Sequence, residues 1–482
     1  MKGKEIQDLF LSGKLSALEI ASKHLEAIKT LDPQIGSFLS VTSQRVLKKA
    51  KELDEKKALG KPLGKLAAVP IAIKDNIHVE GEITTCGSKF LTNYKAPFSA
   101  TVTRLIEEED GLIIGKTNLD EFAMGSSTEN SALLKTKNPW DLTRVPGGSS
   151  GGSATAVAAR LCPLSLGSDT GGSIRQPASF TGIVGFKPTY GRVSRFGLVA
   201  YASSLDQIGP FARNTEDLAL LMEVISAPCQ KDSTHLKEPS PLFTKELKED
   251  LKGIKIGVPW AFLEGLKEEP KNLFLTQIET LKALGAEIVS VDLSILKNSL
   301  AVYYILATAE ASTNLARFDG IRYGVRSKEA KTLDEVYTLS KEEGFGKEVK
   351  RRILLGTYVL SSGYKEAYYK KALQARSLIM EAYKEAFSFC DLIGMPVTPT
   401  EAFSFGAHKD PLEMYLEDIY TISVNLAGVP AISVPGGFTK GNLPFGLQLI
   451  GPQKFDTLVV GAAHAFEKAT DFTKKKPPVS AF

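Results

Sequence analysis

One lysine and two clusters rich in glycine and serine hold the residue types able to do chemistry. The clusters are Pro146-Gly147-Gly148-Ser149-Ser150-Gly151-Gly152-Ser153 and Gly167-Ser168-Asp169-Thr170-Gly171-Gly172-Ser173-Ile174-Arg175. Eleven of the 41 glycines fall between Gly147 and Gly197. A flexible linker has such a composition too, but its surroundings argue otherwise: Ala154 to Leu161 reads as an alanine-rich helix and Pro163 to Leu166 as a short strand. Glycines beside serines between buried elements bring the main chain close to a ligand, where a Cβ would obstruct or a positive φ is required. Successive N–H groups of a Thr170-Gly171-Gly172-Ser173 turn can converge on a developing oxyanion, and Ser173 at its end is a natural nucleophile. It needs a base.

Histidine offers few bases, since the chain has only 5. Gly147 to Gly151, and the frame one residue later, satisfy the G-x-S-x-G pattern of α/β-hydrolases, whose triad requires an acid and a histidine downstream. Only His235, His408 and His464 lie there, His235 in a polar stretch and His464 in an alanine-rich helical one. Gly111-Leu112-Ile113-Ile114-Gly115-Lys116-Thr117 imitates a phosphate-binding loop but has three residues between its glycines where the loop needs four. A lysine base, Lys74, is the third option. It follows the apolar run Val69 to Ile73 and precedes Asp75-Asn76. It reads either as a strand-end lysine reaching water or as an amine whose desolvation lowers its pKa until it accepts a proton.

The elements that must position these groups follow from apolar patterning. Residues 5 to 57 repeat apolar positions at helical spacing, with Ser16 as an N-cap and Pro33 as a break. From Leu66 onward, short apolar runs alternate with helical stretches: 69–73, 111–115, 254–258, 287–291, 392–397, 431–434 and 446–450, with a long helical section at 294–390. This is an α/β pattern. Residues 229–253 read as a polar surface excursion within a single domain spanning 1–482, and residues 1–60 as a helical segment packed on its core. Hydrophobic residues make up 43% and charged residues 24%, and no apolar run approaches a membrane span. The formal charge of +4 is too small a field to hold nucleic acid unaided. Cys86, Cys162, Cys229 and Cys390 are too scattered for a zinc site or disulfide framework. No metal is expected, and the N-terminus lacks a targeting pattern, so a cytoplasmic location is expected.

The clusters together with Pro70-Ile71-Ala72-Ile73-Lys74-Asp75-Asn76 resemble the amidase signature enzymes. Their hallmark is a GGSS-G-G cluster, then G-S-D-x-G-G-S-[IV]-R-x-P, with an upstream lysine. The resemblance implies a central mixed β-sheet flanked by helices on both faces and a Ser, cis-Ser, Lys triad. Residue by residue, it puts the nucleophile on Ser173, the cis-peptide bridging serine on Ser149 and the base on Lys74. The main-chain amides of Thr170, Gly171, Gly172 and Ser173 form the oxyanion hole, with Ser150 and Asp169 in support. Ala68 departs from the pattern, which usually has glycine there.

Within the family the likeness is to the glutaminase subunits of tRNA-dependent amidotransferases, through Gly115 to Ser131, Ala316 to Gly324, Glu348 to Ile353 and Asp418 to Thr421. It implies hydrolysis of glutamine to ammonia, used to amidate glutamyl-tRNA(Gln), or aspartyl-tRNA(Asn). A B subunit would bind the misacylated tRNA and use ATP and Mg, and a C subunit would complete a heterotrimer, leaving this chain without cofactor or membrane contact. The likeness places an arginine of the Lys350-Arg351-Arg352 run and Asp418 on the glutamine zwitterion, with Arg352 preferred over Arg351 and Tyr304 in the pocket. A stand-alone amidase acting on another small amide is the alternative. A scaffold subunit with a dead site is opposed by the intact Lys74, Ser149 and Ser173.

Overall fold

The computed structural model describes all 482 residues. One mixed sheet of 11 strands runs through it in the order β1-β3-β2-β4-β6-β5-β10-β11-β9-β7-β8. In chain order the strands are β1 Phe38–Val41, β2 Pro70–Lys74, β3 Leu112–Thr117, β4 Leu164–Asp169, β5 Val184–Lys187, β6 Gln207–Ala212, β7 Lys255–Val258, β8 Glu287–Ser290, β9 Leu392–Pro396, β10 Ala431–Phe438 and β11 Pro444–Ile450. β2 pairs in parallel with β3 and β4, and β7 with β8 and β9; the other pairings are antiparallel.

Alternation along a strand sends successive side chains to opposite faces. In β2, Ile71 and Ile73 enter an apolar cluster of 81 buried residues, whereas Ala72 enters one of 17 that includes Ala154, Ala156 and Val157 of the helix Gly151–Ala158. Both faces are covered, which is why the inner strands read as continuous apolar runs rather than alternating ones.

The opening helices are Gly3–Leu11, Ala17–Ile35 and Ser43–Ala58. Ser16 caps the second, accepting from the Glu19 N–H while the Glu19 carboxylate accepts from the Ser16 N–H. Two expectations change here. Pro33 does not break the helix: it sits inside the last turn, and Gly36, at φ +75°, ends it. The stretch 5–57 is also not wholly helical, because Phe38–Val41 forms the sheet's edge against β3. Ala68 has φ +64°, a left-handed conformation in which glycine is unhindered, and this accounts for the glycine usual at that position. The expected helical section 294–390 holds the helices Ser299–Asn314, Leu333–Gly344, Lys347–Leu360 and Lys371–Ala386, the last entered through a π-helical turn at Lys365–Lys370. No helix is long and apolar enough to cross a membrane.

The glycine-lysine segment 111–117 is β3 rather than a phosphate loop. Lys116 is fully buried and its Nζ lies 2.7 Å from Asp75 Oδ1, with Thr84 Oγ1 at 3.1 Å. Removing one partner of such a pair leaves an uncompensated buried charge. Lys116→Met should therefore lower the unfolding free energy by roughly 3–5 kcal/mol in chemical denaturation, and wild-type stability in that variant would contradict this account of β3.

Candidate active site

Lys74 ends β2, and Ser168 and Asp169 end its parallel neighbour β4, so the groups lie at the carboxyl edge of adjacent strands, where open α/β sheets bind their ligands. Ser149 and Ser150 occupy the loop leading into the helix Gly151–Ala158, and the Gly148–Ser149 peptide is cis. A Cβ on Gly148 would strike Asp120 Oδ2 and lie 2.6 Å from the Ser127 nitrogen, so no other residue fits beside Ser149.

Lys74 Nζ is within 2.7 Å of both Ser149 Oγ and Ser150 Oγ, 2.9 Å of Ser168 Oγ and 3.3 Å of the Ser168 carbonyl. No carboxylate touches it. Burial without a paired anion favours the neutral amine, and its pKa falls to about 7 even though the carboxylates of Asp120, Asp169 and Asp206 pull it upward. Ser150 is tied in turn to the Ser168 carbonyl at 3.1 Å. No histidine joins this group: His24, for example, is bonded to the Leu161 carbonyl at 2.8 Å.

The turn after β4 holds Ser173, 8% exposed where Lys74, Ser149 and Ser150 are 0%. No hydrogen bond joins Ser149 Oγ to Ser173 Oγ; the two segments meet through the Ser150 N–H, which donates to the Ser173 carbonyl at 3.2 Å. The main-chain N–H groups of Thr170, Gly171 and Ser173 have no partner within the chain. The Gly172 N–H donates to Asp169 Oδ1 at 2.9 Å. This takes Gly172 out of the expected set of free donors. Buried N–H groups are seldom left unpaired, so the three that remain mark a place for an acceptor.

Asp169 shapes this turn. Its carboxylate also accepts from the Ile174 N–H at 3.1 Å, from Asn425 Nδ2 at 2.9 Å and from Arg175 Nη2 at 2.9 Å. Burial alone would raise its pKa, but the Arg175 guanidinium holds it well below the usual carboxylate range. Arg175 reaches onward to the Thr421 carbonyl at 3.0 Å and Gln448 Oε1 at 2.8 Å. Thr421 Oγ1 donates back to the Gly171 carbonyl at 2.6 Å.

Asp418 lies beside the turn: a Cβ on Gly172 would be 3.4 Å from its Oδ1 and would strike Thr421 Oγ1. Asp418 Oδ2 accepts from the Ser126 hydroxyl, and Oδ1 is buried with no partner. Desolvation raises its pKa to about 8. Arg352, whose charge favours the ionised Asp418, is 4% exposed, with Nε donating to Glu348 Oε1 at 2.8 Å and Nη1 to Tyr201 Oη at 2.7 Å. Its guanidinium lies 5.2 Å from the Tyr304 ring centroid and 5.4 Å from that of Tyr415, and those two rings stack at 4.0 Å. Arg351 instead points outward, half-exposed, and pairs with the other oxygen of Glu348. Thus Lys74, Ser149 and Ser150 form one cluster and Thr170 to Ser173 the adjoining turn, with Asp418 packed beside Gly172 and Arg352 packed on the Tyr304 ring. Tyr201 and Tyr415 were not singled out from the sequence, because isolated polar residues far apart in the chain carry no spacing signal; Ser126 and Glu348 fall within the family-like stretches Gly115 to Ser131 and Glu348 to Ile353 but had no role assigned there. No group of three or more metal-binding side chains is present.

The amidase family model matches residues 19–460. The chain belongs to the amidase signature family. The A subunit of glutamyl-tRNA(Gln) amidotransferase from Protochlamydia amoebophila is 65% identical over 468 residues, covering 97% of this chain and 96% of the relative. The protein of the same name from Fusobacterium nucleatum is 53% identical over 469 residues, 97% of this chain and 96% of the relative. The crystal structure of the Thermotoga maritima A subunit superposes with a TM-score of 0.82 at 43% identity, covering 100% of this chain and 98% of that one. A bacterial aryl acylamidase of the amidase signature family gives 0.86 at 25% identity, over 98% and 97% of the two chains. The α/β fold of this family is the one described above.

The lowered pKa of Lys74 has a thermodynamic signature. Between about pH 7 and its unfolded value near 10.4 the unfolded chain binds a proton at Lys74 that the folded chain does not, so raising the pH favours folding. Relative to Lys74→Met, the wild type should gain about 1.4 kcal/mol of stability per pH unit across that window, measured by denaturation. Parallel pH profiles for the two proteins would mean that the lysine keeps its ordinary pKa.

Proposed function

We propose that this amidase signature chain is the glutaminase component of a glutamyl-tRNA(Gln) amidotransferase, with residues 1–482 acting as one unit. The observation that carries the chemistry is the buried Lys74 amine, surrounded by serine hydroxyls beside a turn with three unpaired N–H groups. Near-full-length identity to the A subunits of such amidotransferases supports the substrate and the assembly.

Glutamine's α-carboxylate is taken by Arg352 and its α-ammonium by Asp418, with Tyr304 in the wall; a desolvated zwitterion needs such a pair. Ser173 Oγ attacks the side-chain amide carbon while its proton passes through Ser149 to Lys74. The Ser149–Ser173 contact closes with substrate in place, since catalytic hydrogen bonds tighten in the Michaelis complex. The N–H groups of Thr170, Gly171 and Ser173 hold the oxyanion, and Ser150 and Asp169 keep the lysine and the turn in place. Lys74 returns the proton through Ser149 to the leaving nitrogen, ammonia departs, and water releases glutamate from the acyl-enzyme.

The ammonia serves the amidation of glutamyl-tRNA(Gln), or of aspartyl-tRNA(Asn), on a partnering B subunit that binds the misacylated tRNA and uses ATP and Mg. The C subunit completes the heterotrimer. This chain needs no cofactor of its own and works in the cytoplasm.

Glutaminase assays of the chain with its partner subunits test the reading. Ser173→Ala should lower kcat/KM by about 10³-fold or more, and full activity in that variant would sink the mechanism. A preference for a simple aliphatic amide, with no stimulation by partners, would replace glutamine as the substrate. Asp418→Asn should raise the glutamine KM by about tenfold or more; unchanged affinity would reject the ammonium contact. Because Lys74 must be neutral and Asp418 ionised, kcat/KM for glutamine should rise from pH 6 to pH 8.

A further inference from the structure

Glutamine and asparagine differ by one methylene, and a site that holds the α-carboxylate at one end and attacks the amide at the other must measure that length. The two ends come from distant parts of the chain: Arg352 from the helix Lys347–Leu360 and Ser173 from the turn after β4. One buried carboxylate ties the turn to the loop that carries Tyr201, whose hydroxyl meets Arg352. Asp206, 2% exposed, accepts from Thr170 Oγ1 at 2.7 Å on one side. On the other it accepts from the Tyr201 N–H at 2.9 Å and the Ala202 N–H at 3.1 Å. Tyr201 in turn receives Arg352 Nη1 at 2.7 Å.

The frame around this carboxylate is stiff. Asp206 immediately precedes β6, whose residue Gln207 is paired with Asp169 of β4, so Asp206 sits one step beyond the ladder opposite Thr170. Its own N–H and that of Leu205 both donate to the Ala202 carbonyl at 2.9 Å, closing the loop that presents Tyr201. Asn314 Nδ2 donates to the Tyr201 carbonyl at 3.2 Å. Asp169 and Arg175 tie the same turn to the Asp418 side, so Asp206 is the corresponding tie to the Arg352 side.

From this we infer that Asp206 is a positioning residue: its carboxylate fixes the separation between Arg352 and the Thr170–Ser173 turn and so sets the selection of glutamine over asparagine. The inference rests on the glutamine reading above. Asp206 touches neither substrate nor the reacting atoms; it acts through Tyr201 and Thr170. A methylene in a close-fitting site is worth about 10- to 200-fold in discrimination, and that is the quantity a loosened ruler gives up.

The test is steady-state hydrolysis of glutamine and of asparagine by the assembled amidotransferase carrying Asp206→Ala. The ratio of kcat/KM for glutamine over asparagine should fall on the order of tenfold, with the glutamine KM rising more than kcat falls. Thr170→Val keeps the side-chain shape and the main-chain N–H but removes the bond to Asp206, so it should move the ratio in the same direction. It decides the matter where Asp206→Ala does not fold. An active wild type whose ratio is unmoved in the variants, with kcat falling equally for both amides, overturns the role of Asp206. A wild-type complex without glutaminase activity overturns the glutamine reading itself.

Discussion

The site depends on an amine buried without an anion. Lys74 is enclosed by the hydroxyls of Ser149, Ser150 and Ser168, and burial brings its pKa down to about 7. A carboxylate in contact would favour the charged amine and raise its pKa toward the ordinary lysine value. The nearby acids are each engaged elsewhere. Asp169 is taken up by Arg175, Asp206 by main-chain N–H groups and Thr170, and Asp120 by the N–H groups of Thr128 and Asn130. Much of the polar wiring around the site keeps negative charge near the amine but out of contact with it.

The glycines serve the same end. Close packing at Gly148, Gly171 and Gly172, where a Cβ would strike Asp120, Tyr303 and Thr421 respectively, lets the serine loop and the turn approach their neighbours. Parallel pairing of β2 with β4 sets Lys74 beside Ser168, so the relation of the amine to the turn inherits the stiffness of the sheet.

The chemistry-bearing core was legible in the sequence because its parts are contiguous. A lysine ending an apolar run, and serines among glycines between buried elements, announce themselves locally. The strands Phe38–Val41, Val184–Lys187 and Gln207–Ala212 did not. The first is short and embedded among helices, and the other two hold glycine or proline that weakens the strand pattern. Gly172 illustrates a different limit: its N–H looked free in the motif, and only the folded path of Asp169 shows that it is used. Arg352, Asp418 and Tyr304 were named through family likeness alone, since side chains brought near one another by long-range packing leave no local spacing signal. Even the distinction between Arg351 and Arg352 is rotational, one residue around a helix.

The strand order carries a consequence for how the molecule comes into being. β10 and β11 lie in the middle of the sheet, between β5 and β9, yet they are the last strands in the chain. The residues that meet at the site run from Lys74 to Thr421, and its contacts to Asp418 and Thr421 join distant parts of the chain. Non-local pairings form late and slowly. A nascent chain can assemble its amino-terminal strands well before Asp418 and the central hairpin exist. The site is therefore one of the last features to form, and an incomplete chain has the lysine and both serines without the Asp418 and Thr421 that pack against Gly172.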